Sequence, residues 1–291
     1  MHRHLTSTRG NTSRLRLLAG IPAAVAILAI ASTASAHDFW LIPDLFAFPG
    51  EATVHVNGRS GTRFPNGAAV QPTRVVDARI IGASGQTKIT EMTVEGTSLR
   101  LHQKPTAAGQ YLIAVSLAPR TTRSTPAGLI RYLRAEGGAA EAGRLERENA
   151  FTGVDSVVFT GASFAATAVQ VGQGGPRAFS LTAGFPLEVV PLNDPGHLHL
   201  GDTLHVRVLG GGKAVPNVGL DATPAIDTTA GSTASGAVSL TADASGVVHV
   251  PLTKAGPWML RSAYVGRRSG GAPNEWEVSR STYVLNVGAD H

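Results

Sequence analysis

The chain has 291 residues, no cysteine, 34 glycines and 17 prolines, and its 25 lysines and arginines exceed its 20 acidic residues. Four of those arginines lie in the first 36 residues, which contain no acid, so the rest of the chain carries 21 basic and 20 acidic groups. This balance argues against a nucleic-acid-binding protein, which usually has a clustered basic surplus. The lack of cysteine excludes disulfides, thiolate metal sites and cysteine nucleophiles.

Residues 1–36 have the pattern of a secretory signal peptide. A basic segment ends at Arg16, an apolar run follows over residues 17–31, and Ala34-Ser35-Ala36 is the small-residue pattern that a signal peptidase needs. The apolar run is shorter than the about 20 residues of a membrane-spanning helix. We therefore expect a periplasmic or secreted protein that is cleaved after Ala36 and has no stable membrane insertion after cleavage.

Residues 37–171 are predicted to form a first β-sandwich domain. Runs of alternating apolar and polar residues separated by turn signals predict short strands at 53–57, 74–81, 88–94, 98–101 and 109–115. Apolar residues then recur at helical spacing between Leu129 and Leu133, before a Gly137-Gly138 stop, and a charged, helix-prone stretch follows. Residues 126–150 are therefore predicted to be a short helical insertion in this domain.

A second β-rich domain is predicted over residues 186–291. The glycine-rich residues 172–185 before it are typical of a linker. About seven strand-like runs with frequent turns follow, which is the number expected of a small Ig-like or transthyretin-like sandwich. The predicted fold class is therefore all-β, with two β-sandwich domains and the helical insertion in the first.

The residue that follows the predicted cleavage site is a candidate metal ligand. Cleavage after Ala36 gives His37 a free α-amino group beside its imidazole, and the two together can chelate one metal ion. Asp38 would add an oxygen ligand or hold the imidazole as a hydrogen-bond acceptor. The alternative interpretation is that His37 only caps a first strand, which Phe39 and Trp40 anchor in the core.

Two further histidines are candidates to complete a site with His37. His55 lies on the polar face of an early predicted strand, and His102 follows Leu101 at a strand end. Each also has the ordinary interpretation of a surface histidine without a special role.

A His-x-His pair, His197 and His199, is the second candidate site. On an extended segment both rings of such a pair lie on one face, a geometry that suits a divalent cation. Asp194 or His205 would supply a third ligand, and a polar loop edge is the alternative interpretation. His249 alternates with core valines, so it is predicted to point outward and to be inert.

The sequence carries no enzymatic signature, and we predict that the protein is not an enzyme. It contains no Gly-x-Ser-x-Gly nucleophile elbow, no phosphate-binding Gly-x-x-x-x-Gly-Lys loop and no His-Glu-x-x-His metalloprotease motif. Its carboxylates are sparse and scattered, so no pair suggests itself for acid–base hydrolysis.

Several short motifs in order along the chain resemble an uncharacterised bacterial periplasmic family. They are Ala36-His37-Asp38-Phe39-Trp40, Gly50-Glu51, Phe64-Pro65, Tyr132-Leu133-Arg134-Ala135-Glu136-Gly137, Pro186-Leu187-Glu188-Val189-Val190-Pro191 and Ala255-Gly256-Pro257-Trp258. That family is commonly catalogued as the periplasmic component of nickel/cobalt ABC-type transport systems. The resemblance implies nickel or cobalt as the metal and an inner-membrane metal permease as the partner. Relatives tend to have a histidine just before the Phe-Pro pair, where this chain has Arg63.

The leading hypothesis is therefore an exported protein that binds a divalent transition metal through His37 and serves metal uptake or handling. Nickel or cobalt is favoured, and copper and zinc share the same ligand chemistry. A second hypothesis is a copper-brace oxidative enzyme on an Ig-like fold, which needs a second histidine beside the amino terminus. A third is an Ig-like module that binds another protein and uses no metal.

Overall fold

A computed structural model of the protein describes residues 37–50, 52–225 and 236–289, so the predicted signal peptide lies outside the described residues. Among these residues, strands account for 55% and helices for 10%, and the strands form several sheets. This confirms the predicted all-β class with a short helical insertion.

Eighteen strands and two α-helices make up the described part of the chain. The strands are β1 (Asp38–Pro43), β2 (Ala47–Phe48), β3 (Val54–Arg63), β4 (Asn66–Ala69), β5 (Val75–Gly82), β6 (Gly85–Lys88), β7 (Glu91–Glu95), β8 (Ser98–Gln103), β9 (Gly109–Ser124), β10 (Val157–Val171), β11 (Leu187–Pro191), β12 (Thr203–Gly210), β13 (Lys213–Ala214), β14 (Gly219–Pro224), β15 (Val238–Thr241), β16 (Val247–Pro251), β17 (Gly256–Arg267) and β18 (Glu275–Val287). The helices are α1 (Pro126–Ala135) and α2 (Ala139–Arg147).

The strands form three sheets. A five-stranded sheet has the order β1-β3-β8-β7, with β4 also paired to β3. A nine-stranded central sheet has the order β15-β14-β17-β18-β10-β9-β5-β6, with β2 also paired to β10. A four-stranded sheet consists of β11-β12-β13, with β16 also paired to β12.

The central sheet contributes to two hydrophobic cores because its side chains alternate between its two faces. In β9, Ile113 and Val115 pack in a core with the five-stranded sheet. Leu112 and Ala114 between them pack in a second core with the four-stranded sheet. Each fully buried valine, leucine or isoleucine side chain contributes roughly 1.5–3 kcal/mol, so the two cores hold the outer sheets in place.

Strands from both predicted domains belong to the central sheet. Strand β10 runs parallel to β18, with partners from Val158 opposite Glu275 to Thr167 opposite Val284. The predicted linker is also held by hydrogen bonds, because the side-chain oxygen of Gln110 accepts from the backbone of residues 178 and 179. Backbone pairing therefore joins strands from both sides of the predicted linker at 172–185. The sequence analysis, which divides the chain into two sandwiches, does not predict this pairing.

The helical insertion lies where the sequence predicts it. Helix α1 begins at Pro126, and the Thr125 hydroxyl caps it by accepting from the Gly128 N–H at 3.1 Å. Its end is followed by Gly137 at a φ of +75°, a conformation that favours glycine. Apolar residues of both helices pack in one cluster with β10, β17 and β18. Among the described residues, no helix is long and apolar enough to cross a membrane.

Candidate metal centre

His55 and His102 lie side by side on the five-stranded sheet. They are directly opposite each other on the antiparallel strands β3 and β8. Val54, Val56 and Leu101, their neighbours along the strands, are buried in the core. Since successive side chains of a strand alternate between faces, both histidines lie on the outer face, where each is half-buried.

The two imidazoles face each other through their Nδ1 atoms. These atoms are 2.7 Å apart, and the rings are nearly perpendicular, at 81°, with centroids 4.9 Å apart. One Nδ1 carries a hydrogen and donates it, and the other accepts. A metal ion bound to both nitrogens at about 2.0–2.1 Å requires the nitrogens to be roughly 3 Å apart. The separation of the two nitrogens therefore matches a shared transition-metal ion, once the bridging hydrogen leaves and both lone pairs turn toward the ion.

The second nitrogen of His102 faces a carboxylate. His102 Nε2 lies 3.8 Å from Glu95 Oε1, and the His102 side chain is 21% exposed. A carboxylate beside the outer nitrogen of a metal-binding histidine favours the tautomer that leaves the inner nitrogen free to bind the ion. At 3.8 Å this contact is longer than a hydrogen bond, so Glu95 acts on His102 through its charge.

An ionic network adjoins the histidine pair. The Arg100 guanidinium donates to both carboxylate oxygens of Asp44, at 2.7 and 2.9 Å, and its Nε lies 3.5 Å from Glu95. The Arg100 hydrogen bonds hold the pKa of Asp44 below its usual range. The backbone N–H of Asp44 donates to the carbonyl of His55 at 3.0 Å. This network links the start of the loop after β1 to the strands that carry the histidines.

His37 lies outside this group. It is exposed and precedes β1, where its backbone carbonyl accepts from Arg280 at 3.4 Å. Its neighbour Asp38 is opposite Gly61 on β3, six positions along that strand from His55. At about 3.3 Å per residue, the position of Asp38 is therefore roughly 20 Å along β3 from His55. The structure therefore does not bring His37 together with His55 and His102.

Asp38 is a buried ion-pair residue. Its side chain is 8% exposed and its carboxylate lies 2.7 Å from the Arg261 guanidinium, which also binds Asp221 at 3.0 Å. A second buried pair, Glu136 with Arg280, lies beside it. Burial raises the pKa of Asp38 and of Glu136, and the arginines oppose that shift. The predicted oxygen ligand is thus held by a guanidinium in the protein interior.

Phe39 and Trp40 anchor the first strand, as the sequence suggests. Both side chains are buried, at 3% and 0% exposure, and the Phe39 carbonyl accepts from the Thr282 hydroxyl at 2.6 Å. With Asp38 also buried, the start of β1 is fixed to β18 and β17 by charges as well as by apolar packing.

The predicted His-x-His pair does not lie on an extended segment. Residues Pro195–His197 form a 3₁₀ turn, and the two histidines approach different carboxylates. His197 Nδ1 is 3.2 Å from Asp194, and His199 Nδ1 is 4.0 Å from Asp202. The proline at the start of the turn favours this helical geometry over a strand. The carboxylate of Asp194 also accepts from Gln110 and Gly196, so it serves chiefly to hold this loop.

A second histidine pair was missed by the sequence analysis. His205 on β12 lies directly opposite His249 on β16, with ring centroids 4.6 Å apart and planes at 75°. His249 is exposed, as predicted, but it is not isolated. The alternation in both strands indicated that each histidine faces outward. Alternation alone does not determine the strand register that places the two histidines opposite each other.

Within residues 37–50, 52–225 and 236–289, no group of three or more histidine, cysteine, aspartate or glutamate side chains is arranged to hold a metal ion.

The profile of a known protein family matches most of the chain. The sequence profile of a domain of unknown function, DUF4198, matches residues 34–266. The chain belongs to the DUF4198 family. This confirms the expected membership of an uncharacterised family, and no curated protein matches this DUF4198 chain in sequence.

Solved structures offer only distant similarity to this DUF4198 member. An α2-macroglobulin from Escherichia coli is 11% identical, with 86% of this chain and 15% of that chain covered and a TM-score of 0.23. A DUF4785 family protein from Legionella pneumophila is 11% identical, covering 76% and 52%, at a TM-score of 0.23. The Escherichia coli adhesin FdeC is 14% identical, covering 89% and 65%, also at 0.23. The chain therefore spans about 15% of the α2-macroglobulin, and no inference about function follows from these similarities.

Proposed function

We propose that this DUF4198 protein is an exported protein that binds a divalent transition metal and serves metal uptake or handling. The observation that supports this most directly is the His55–His102 pair, with its two Nδ1 atoms 2.7 Å apart. Neutral imidazole is a preferred ligand for nickel, copper, cobalt and zinc. The pair would hold the ion, and the charge of Glu95 would favour the His102 tautomer whose Nδ1 can bind it.

The choice of nickel or cobalt rests on the family resemblance, as does the expected partner, an inner-membrane metal permease. A half-buried pair on an outer sheet face suits reversible loading, because the ion reaches it from solvent without unfolding the chain. Protons and metal ions compete for the imidazole nitrogens, so metal binding is coupled to proton release. Periplasmic location depends on the predicted signal peptide.

A chelate at His37 would be an additional metal site, separate from the His55–His102 pair. It requires cleavage after Ala36 and a free α-amino group. Asp38 would contribute little to it, since its carboxylate is held by Arg261. A variant with one extra alanine before His37 moves the amino group away from the imidazole and leaves the His55–His102 pair unchanged.

Native mass spectrometry of the untagged protein, purified from the periplasm and titrated with Ni²⁺, Co²⁺, Cu²⁺ or Zn²⁺, tests the proposal. The wild type and the alanine-insertion variant should both retain the most tightly bound ion, and the His55→Asn/His102→Asn variant should lose it. The intact mass also reports the cleavage site.

Two other outcomes would change the account. Loss of the ion from the insertion variant, with retention in the paired asparagine variant, would assign the metal to His37. No specific ion on any form would overturn the metal-binding function and favour a module that binds another protein.

A further inference from the structure

His205 and His249 form a second outward-facing pair, on the four-stranded sheet. The rings are 4.6 Å apart between centroids and inclined at 75°, against 4.9 Å and 81° for His55 and His102. Both pairs consist of directly opposite residues on antiparallel strands. Directly opposite side chains of such strands have Cβ atoms about 5 Å apart, which lets two imidazoles converge on one ion.

The backbone holds His205 in place. Its N–H donates to the Asn193 side-chain oxygen at 2.8 Å, and its carbonyl accepts from the Leu192 N–H at 2.8 Å. Leu204 and Val206 on either side of it are fully buried in the core, at 0% exposure. His205 is thus a fixed member of the pair, and the exposed His249 is the one with freedom to adjust its ring.

The charges around this pair differ from those around the first. Asp243 interacts electrostatically with His249, but its carboxylate already accepts from the backbone of Ser245 and of Val247. Arg207 shares the outer face with His205, two positions along β12. Arg100 holds the equivalent position beside His102, but Asp44 neutralises its charge there, so the second pair should bind a cation more weakly than the first.

We propose that His205 and His249 form a second binding site for a divalent transition metal, independent of the His55–His102 site. This proposal rests on the proposed function only for its choice of a divalent transition metal. The positions of the two histidines are observed independently of that function. The chain would then carry two imidazole pairs of unequal affinity on two different sheets. Such an arrangement would let the protein hold a second ion when the metal is abundant.

The test is Cu²⁺ titration of the untagged protein, followed by native mass spectrometry for stoichiometry and by electron paramagnetic resonance for nitrogen ligation. Every form, including the wild-type reference, carries one extra alanine before His37, so that an amino-terminal chelate adds no ion to the count. We expect two ions on the wild type and one on the His205→Asn/His249→Asn variant. The second ion should bind about tenfold or more weakly than the first, the size of effect that outer-shell partners have on metal affinity. His197→Asn is the matched control, since it removes an exposed histidine outside both pairs.

Each other outcome has a distinct meaning. One ion on the wild type, lost only from the His55→Asn/His102→Asn variant, would overturn the second site and leave the proposed function standing. A second ion that survives in the His205→Asn/His249→Asn variant would also overturn it. One ion that depends on His205 and His249 alone would support this site and contradict the first. Circular dichroism confirms that each variant is folded.

Discussion

His37 and Asp38 at the start of β1, and His55 and His102 on two other strands, are all predicted metal ligands, and the structure gives the two groups different surroundings. At the start of β1, the Asp38 carboxylate is buried and lies 2.7 Å from a guanidinium. At the histidine pair, the two rings are half-buried with their nitrogens 2.7 Å apart, and a carboxylate faces the outer side of His102. The neighbouring charges decide which of these groups is available to a cation.

This difference separates a structural role from a binding role. A carboxylate neutralised by arginine in the interior stabilises the fold only as long as its partner stays, because an unpaired buried charge is costly. Two imidazoles near the surface contribute little to stability and are available as ligands when a metal ion arrives. Mutations in the first region should therefore affect stability, and mutations in the second should affect metal affinity.

The largest effect is expected from Arg261→Met. It leaves Asp38 without its buried partner, so the free energy of unfolding should fall by about 3–5 kcal/mol in urea denaturation at pH 7. The matched control is Arg134→Met, which removes an exposed pair with Glu146 and should cost less than about 1 kcal/mol. Equal losses in both variants would contradict a structural role for the buried cluster.

The His55→Asn/His102→Asn variant should show the opposite behaviour. Without the two nitrogens, the dissociation constant for the preferred metal should rise at least 100-fold in isothermal titration calorimetry. Stability should change by less than about 1 kcal/mol, because neither side chain belongs to the core. Unchanged affinity in a folded variant would remove the pair from the binding account.

A smaller effect is expected from Glu95→Gln. It keeps the shape of the side chain but removes the charge 3.8 Å from His102 Nε2, so metal affinity should fall about tenfold. Glu277→Gln, an exposed change on β18, should leave affinity unaffected. If both variants bind equally well, Glu95 does not position His102.

The smallest effect concerns Asp44. Arg100 lowers the pKa of Asp44 in the folded state, so its ionised form stabilises the fold above its unfolded pKa of about 3.9. That stabilisation is lost as the pH falls through the lower, folded pKa. Asp44→Asn should therefore cost less than about 1 kcal/mol at pH 7, because the side chain is 40% exposed. In urea denaturation at a pH below the folded pKa of Asp44, the variant and the wild type should have the same free energy of unfolding. A difference that persists at that pH would contradict a stabilising role for the ionised Asp44 carboxylate.

Much of the fold follows from local sequence patterns. Alternation and turn residues predicted most of the long strands, and the spacing from Leu129 to Leu133 with the Gly137-Gly138 stop predicted the helical insertion. The parallel pairing of β10 with β18 was not predicted. It joins residues more than a hundred positions apart, and nothing in either strand specifies the other as its partner.

The candidate site was predicted only in part, for the same reason. Alternation placed His55 on a polar face, but its partner is 47 residues away and is set by strand register. For the same reason, the sequence did not predict the contact between His205 and His249. Asp38 shows the converse problem, because its role depends on Arg261, which is remote in sequence.

The most direct test of the central claim is a crystal structure of the metal-loaded protein, with anomalous data collected at the absorption edge of the bound metal. The account predicts an anomalous peak between His55 and His102, within about 2.1 Å of both Nδ1 atoms. A fully loaded crystal whose peak lies at His37, or which shows no peak at the His55–His102 pair, would contradict it.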